Sequence, residues 1–431
     1  MVKMKKSSKF YLALVIFSLV GQIAWVMENM YFNVFIYKMF NASAEAISGM
    51  VAASAIAATV TTLLIGALSD KVGKRKIFIC GGYIAWGISI LSFAFVRMDV
   101  LTQLFPLASA ASAGVSITII LDCIMTFFGS SANDACFNAW LTDSTDESNR
   151  GAVEGINSMM PLLAILAVFG GFMGFDLNKS ESWTTIFLII GSVVLILGVA
   201  GFWMIKEPKL ETAGNEKYFA NIFYGFRPKV IKSNPALYLA LITYAVFNIA
   251  IQIFMPYLIL YYTVSLKMDN YVLIFAPAII LAAVFTFFYG KVYDKKGFCS
   301  AVLAPIIMLM AGFVVLYFFR DTVMVFLGTL VMLCGYLSGM AMFGAILRDK
   351  TPAGKAGMFQ GQRIVGQVLV PGVIGPAIGA AVLQNAETIL NDDGTTSFVP
   401  NENIFLAAFI AALFIWLVFI PLFKQLKKDK V

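Results

Sequence analysis

The sequence predicts an all-α membrane protein: twelve transmembrane helices in two pseudo-symmetric six-helix bundles. Three observations predict it: the length of the apolar runs, the placement of lysine and arginine, and a glycine–aspartate turn that occurs once in each half. The chain is 60% hydrophobic and 13% charged, whereas a soluble domain carries about 25% charged residues. Apolar blocks fall at 10–37, 46–68, 77–97, 108–140, 152–175, 183–205, 236–265, 271–292, 300–319, 323–347, 358–384 and 403–424. Each can supply the roughly 20 residues that a bilayer-spanning helix needs. None alternates with the short period of a β-barrel strand.

Lysine and arginine fix the orientation. With the N-terminus inside, 25 of the 31 basic residues fall on the inner side, and Lys38, Arg97, Lys179, Lys267 and Arg320 fall outside or at outer helix ends. Arg363 lies within a span. Such a bias places both termini in the cytoplasm. The expected location is a plasma membrane (a bacterial inner membrane), crossed many times. The net charge of +7 is therefore topological and implies no nucleic-acid partner. The first apolar run is too long for a signal-peptide core, and no small-residue cleavage site comes after it. Cys80, Cys123, Cys136, Cys299 and Cys334 lie in or at the ends of spans without a CxxC pattern and read as small apolar fillers. The chain has no histidine, so a histidine proton relay or histidine metal site is excluded.

Residues 206–235 form one long polar inner segment. They divide the chain into an N-terminal bundle (1–205) and a C-terminal bundle (236–431), with 206–235 as cytoplasmic linker. Offset by 224, Gly66, Asp70 and Gly73 align with Gly290, Asp294 and Gly297. Offset by 206, Asp143, Gly151, Glu154 and Gly155 align with Asp349, Gly357, Gln360 and Gly361. Two parallel six-helix repeats carry their substrate site near the membrane midplane.

The turn itself reads Gly66-Ala67-Leu68-Ser69-Asp70-Lys71-Val72-Gly73-Lys74-Arg75-Lys76, with a weaker copy at Gly290-Lys291-Val292-Tyr293-Asp294-Lys295-Lys296-Gly297. Glycine fits a tight turn that most side chains cannot. Here the chain resembles the major facilitator superfamily of transporters, whose loop between helices 2 and 3 reads Gly-x-Leu-(Ala/Ser)-Asp-(Arg/Lys)-x-Gly-(Arg/Lys)-(Arg/Lys). The resemblance implies that Gly66, Asp70, Gly73, Lys74, Arg75 and Asp294 form a conformational latch at the inner ends of the helices. The positive end of a nearby helix is a candidate partner for the acid.

Polar residues within spans are costly and usually face a cavity or a partner. The first span carries Gln22, Trp25, Glu28, Asn29 and Asn33; the fourth carries Asp122, Thr126, Asn133 and Asp134. Amides and aromatic rings suit a polyhydroxylated ligand, the former by donating and accepting, the latter by stacking on apolar sugar faces. Interhelical hydrogen bonding is the competing reading. The substrate-binding candidates are Trp25, Glu28, Asn29, Asn133, Asn248, Gln252, Gln360, Arg363 and Gln367. Glu28, Asp122 and Asp134 are the candidates for cation or proton coupling. A carboxyl in a low-dielectric cavity can exchange a proton near neutral pH, and with neighbouring oxygens Asp122 can instead hold Na⁺; a third role is to pair with Arg363. Arg363 needs an anionic partner or an anionic substrate.

Leu141-Thr142-Asp143 through Arg150 resembles the 4–5 loop of the glycoside–pentoside–hexuronide cation symporters. In that family acidic residues of helix 4 serve sodium or proton coupling. The expected function is thus secondary active transport, the H⁺- or Na⁺-coupled symport of a sugar or glycoside by alternating access in a monomer. The alternative is a proton-coupled exporter or flippase of an amphipathic drug-like or lipid compound. The fifth span has Gly170, Gly171 and Gly174 but no Gly-Pro pair, which leans toward uptake. No nucleotide-binding loop, nucleophile elbow or metal-ligand spacing occurs. An enzyme and ATP drive are excluded, and no cofactor is expected beyond the coupling ion.

Overall fold

The structure, a computed structural model, describes residues 8–145, 150–207, 223–268, 270–352, 356–391 and 394–428. The side chains of Asp70, Arg150, Glu154, Asp294 and Gln360 lie outside the described part.

Among the described residues, eleven helices are long and apolar enough to cross a membrane, and one shorter apolar helix joins them. In order they are span 1 (Ser8–Phe40), span 2 (Ala44–Gly66), span 3 (Arg75–Phe95), span 4 (Leu107–Asp143), span 5 (the shorter one, Ile156–Phe172), span 6 (Ser180–Met204), span 7 (Pro235–Ser265), span 8 (Val272–Tyr293), span 9 (Phe298–Phe318), span 10 (Thr322–Lys350), span 11 (Gly361–Leu383) and span 12 (Asn403–Lys428). All twelve expected spans are present. Two compact units result. Unit 1 holds Met1–Ala42 and Ile56–Phe219; unit 2 holds Ser43–Ala55 and Ala220–Val431. Span 2 is thus divided, its first residues belonging to unit 2.

In the absence of a hydrophobic force between helices in lipid, small residues set how closely they approach. In unit 1, a Cβ placed on Gly87 of span 3 would lie 2.5 Å from the backbone nitrogen of Leu195 in span 6. In unit 2, one on Gly312 of span 9 would lie 2.6 Å from the backbone of Met332 in span 10. Aromatic edges fill the rest: Phe32, Phe35, Phe93, Trp183 and Phe187 form one buried cluster in unit 1.

The glycine–aspartate turns take the conformation that their glycines permit. Gly73 has φ 68° and Gly297 φ 72°. Gly297 also has ψ 171°, a region essentially restricted to glycine. Gly297→Ala should therefore destabilise unit 2 by about 1–3 kcal/mol, read as a lower thermal midpoint. An unchanged midpoint would mean that the turn relaxes.

After span 11 the chain forms a short antiparallel hairpin, Thr388–Leu390 paired with Thr396–Phe398. The Phe398 ring stands edge-on to Tyr257 at 6.4 Å. Ser265 donates to the carbonyl of Pro400, and Arg320 pairs with Glu402 at 3.0 Å. The buried Tyr257 hydroxyl lies 3.0 Å from the Ala44 carbonyl and 3.2 Å from that of Pro376. The hairpin thereby closes over the end of span 7 opposite the linker.

Candidate functional site

Four spans leave the α-helical register where their polar residues lie. Span 1 is π-helical at Met27–Tyr31, span 4 at Ser130–Phe137, span 7 at Tyr261–Ser265 and span 11 at Val365–Leu369. A π-turn shifts the backbone ladder to i→i+5 and is frequent at functional sites. Side chains bond back into the widened turns. Asn29 Nδ2 donates to the Trp25 carbonyl at 2.7 Å, Asn33 Nδ2 to that of Asn29 at 3.2 Å, and Ser131 Oγ to that of Phe127 at 2.6 Å. Thr263 Oγ1 donates to Ile259 at 2.9 Å. Such local bonds are the known competitors of regular helix.

In unit 1 these distortions bring spans 1 and 4 together around carboxyl groups. Glu28 is buried, and Thr126 donates to its Oε1 at 2.9 Å. Asp122 lies one turn before Thr126 on the same face and is only 2% exposed. One Asp122 carboxyl oxygen has no hydrogen-bond donor among the described residues. An ionised carboxylate so placed requires a cation or proton to neutralise it.

Asp134 lies further along span 4, where Ser130 Oγ donates to its Oδ2 at 3.1 Å. Asn133 is buried. The Tyr83 hydroxyl approaches Asn133 Oδ1 at 3.0 Å and the Phe17 carbonyl at 2.9 Å. Trp25, half-buried, tilts against Trp86 at 5.1 Å. Both indoles abut Gly129, where a Cβ would lie 2.7 Å from Trp86 and 3.1 Å from Trp25. Asn29 is exposed.

Unit 2 carries a separate polar face. Tyr244 is buried, stacks on Phe343 at 5.1 Å, and points its hydroxyl at Met340 Sδ, 2.9 Å away. Asn248 is buried and donates to the Tyr244 carbonyl at 3.1 Å. Arg363 is half-buried, and its Nε donates to Gln367 Oε1 at 3.2 Å. Gln252 is half-buried beside Gly375, whose missing Cβ would lie 2.5 Å from its own. The glycines of span 11 thus bring its polar residues onto span 7.

Where span 3 begins, Arg75 is buried and donates through Nε to Asp143 Oδ2 at 3.0 Å and through a terminal nitrogen to Ser69 Oγ at 2.5 Å. Gly66 stands on the same turn, its carbonyl accepting from Ser69 at 3.0 Å. Lys74 is exposed. Glu207 accepts the backbone N–H of Arg75 at 2.6 Å and that of Lys76 at 3.1 Å. A carboxylate there meets the positive end of span 3. The Trp140 indole donates to the Lys206 carbonyl at 2.9 Å. In unit 2 the repeat differs, and Asp349, the counterpart of Asp143, accepts from the Tyr293 hydroxyl.

The sequence pattern singles out Arg75 and Asp143 separately but not their pairing, nor Glu207, nor Thr126 as the donor to Glu28. Arg75→Lys should lose both side-chain bonds together, since an ammonium lacks the guanidinium fork. A loss of about 1.5–3 kcal/mol is expected, and Asp143→Asn should add little to it. Fully additive losses in thermal unfolding would show that the two residues act apart.

A fold of two six-helix units with polar residues on broken membrane helices is that of a secondary transporter. The chain belongs to the Major Facilitator Superfamily, whose sequence model matches residues 11–376; it is a membrane transporter and not an enzyme. Among solved structures it is similar to the nucleoside transporter NupG, in a mutant form, at 13% identity over 96% of this chain and 100% of that one (TM-score 0.73). The D-xylose-proton symporter gives 14% identity over 94% and 97% (TM-score 0.70). A bacterial homolog of the human lysosomal transporter Spinster, inward-facing and occupied, gives 14% over 98% of each chain (TM-score 0.68). No curated protein matches at a significant level.

Proposed function

We propose that the protein is a cation-coupled symporter of a sugar or glycoside, working by alternating access. The observation that carries this reading is the buried Glu28–Thr126 hydrogen bond with Asp122 one turn away. Two acids beside each other in a membrane protein are a cation or proton site by default. Loading H⁺ or Na⁺ there neutralises the charge of Asp122 and Glu28, and loss of the ion restores it. Asp134, held by Ser130, is the next acid along span 4 toward its inner end. In unit 1 the half-buried Trp25 ring and the Asn29 and Asn133 amides supply stacking and hydrogen bonds. In unit 2, Asn248, Gln252, Gln360, Arg363 and Gln367 do so.

The similar nucleoside and xylose transporters support a small polyhydroxylated substrate. The lysine and arginine distribution supports cytoplasmic termini in a bacterial inner membrane. Gly66, Asp70, Gly73, Lys74, Arg75 and Asp294 serve as the latch, acting on turnover. The monomer is the working unit. The test is uptake of labelled monosaccharides, glycosides and nucleosides into proteoliposomes under an imposed sodium or proton gradient. Accumulation driven by one ion supports the reading and identifies the ion. No uptake anywhere in the panel rejects it in favour of export of an amphipathic compound.

A further inference from the structure

Span 7 is preceded by a 3₁₀ turn, Tyr224–Phe226, and a short helix, Pro228–Ser233, with only Asn234 before Pro235 opens the span. This segment therefore directly adjoins the start of a membrane-spanning helix. It is also anchored. The Tyr238 hydroxyl donates to the Gly225 carbonyl. With its amide oriented to satisfy both ends, Gln362 accepts the N–H groups of Gly225 at 2.9 Å and Phe226 at 3.0 Å and donates to the Phe359 carbonyl at 2.9 Å. The Tyr224 ring meets Phe359 edge-on at 5.9 Å.

Held this way, the segment turns Gly225 and Val230 inward and leaves Phe226, Arg227, Lys229, Ile231 and Lys232 exposed. Phe223, just before it, is 62% exposed. From 223 to 233 the sequence contains no acidic residue. Aromatic and aliphatic side chains interleaved with cations, on a short helix lying beside a membrane span, are the composition of an interfacial anchor. The apolar groups enter the acyl boundary and the lysine heads stay at the phosphates.

We propose that residues 223–233 form a binding surface for the anionic lipid headgroups of the inner leaflet. Charge complementarity selects the occupant, because that leaflet carries negative surface potential and attracts juxtamembrane basic residues. A soluble acidic partner would leave Phe223, Phe226 and Ile231 unexplained beside the span. The proposal rests on the cytoplasmic orientation read above and not on the solute or coupling ion, so its readouts stand whether or not uptake is found.

The test uses the full chain purified in detergent and titrated with phosphatidylglycerol or phosphatidylcholine. Retained lipids are counted by native mass spectrometry and the thermal midpoint is tracked in parallel. Wild type should retain phosphatidylglycerol in preference and gain stability from it, less so at high salt. The triple variant Arg227→Gln, Lys229→Gln, Lys232→Gln should lose affinity by about five-fold per charge removed. The charge-keeping variant Lys229→Arg, Lys232→Arg should bind as wild type does, which separates lost charge from misfolding. Equal retention of the two lipids by wild type, or undiminished retention by the triple variant, overturns the proposal. So does loss of binding in the arginine variant, or tighter binding of polyglutamate than of phosphatidylglycerol vesicles.

Discussion

Asp122→Asn is expected to leave substrate exchange intact and to end accumulation against a gradient. A membrane potential of 100 mV supplies about 2.3 kcal/mol per coupled charge, or about 50-fold accumulation. The variant should stop at equal concentrations inside and out, while counterflow of labelled substrate continues, because exchange moves no net cation. Glu28→Gln should behave the same way. The reason lies in the geometry: the buried Asp122 lies on span 4 one turn before Thr126, the donor to the buried Glu28, so either amide removes a charge that a cation would otherwise neutralise. Thr126→Val should give an intermediate result. Loss of a hydrogen bond to a buried charged group costs about 1.5–3 kcal/mol, which would raise the ion concentration needed without abolishing coupling. If both amide variants still concentrate substrate, the coupling site lies elsewhere, with Asp134 the next acid to replace.

The second large effect is on folding. Gly87→Ala places a methyl group 2.5 Å from the Leu195 nitrogen and 2.6 Å from its Cα, both backbone atoms of span 6. Neither can swing aside as a side-chain end could. Overpacking of this kind costs about 1–3 kcal/mol, and Gly87→Leu should prevent assembly of unit 1. Gly81 offers the control: it lies on the same span, six positions earlier, with nothing within 4 Å of its missing Cβ. Gly81→Ala should leave the thermal midpoint unchanged. An equal destabilisation by Gly81→Ala would show that the cost does not arise in the contact between spans 3 and 6, since alanine is itself the better helix former.

The two predictions draw on different depths of sequence information. The spans were legible because a bilayer demands long unbroken apolar runs, and the turn at Gly66 to Arg75 because glycine takes the left-handed φ of Gly73 without the steric cost that most side chains carry. Glu28 and Asp122 were legible as candidates because charge within such runs is expensive. Their arrangement was not. Extrapolating a 3.6-residue period puts Gln22, Asn29 and Asn33 on one stripe. In the structure Gln22 is half-buried, Asn29 exposed and Asn33 fully buried. The π-turn at Met27–Tyr31 contains Asn29 and separates Gln22 from Asn33, and one extra residue in a turn rotates every later side chain of the helix by about 100°. The same period puts Trp140 on the face of Asp122, Thr126 and Asn133, yet it comes after the π-segment of span 4 and bonds to Lys206. Whether a helix accepts a π-turn depends on its neighbours, and no local pattern records that.

The network around Arg75 was hidden for another reason. Asp143 and Glu207 stand 68 and 132 residues away in sequence, and only the folded unit brings them to the start of span 3. The loop after span 11 shows the opposite case. Its Asn391 and Gly394 are turn residues, yet the strands on either side are three residues each, too short to announce themselves.

The central claim is that the carboxyl groups of spans 1 and 4 carry the coupling cation. It is tested most directly by solid-supported-membrane electrometry on proteoliposomes, with a rapid jump in whichever substrate the uptake panel identifies. Wild type should show a transient current that tracks substrate and vanishes in the Glu28→Gln, Asp122→Asn double variant, while substrate still protects that variant against thermal unfolding. An undiminished current in the double variant would contradict the account.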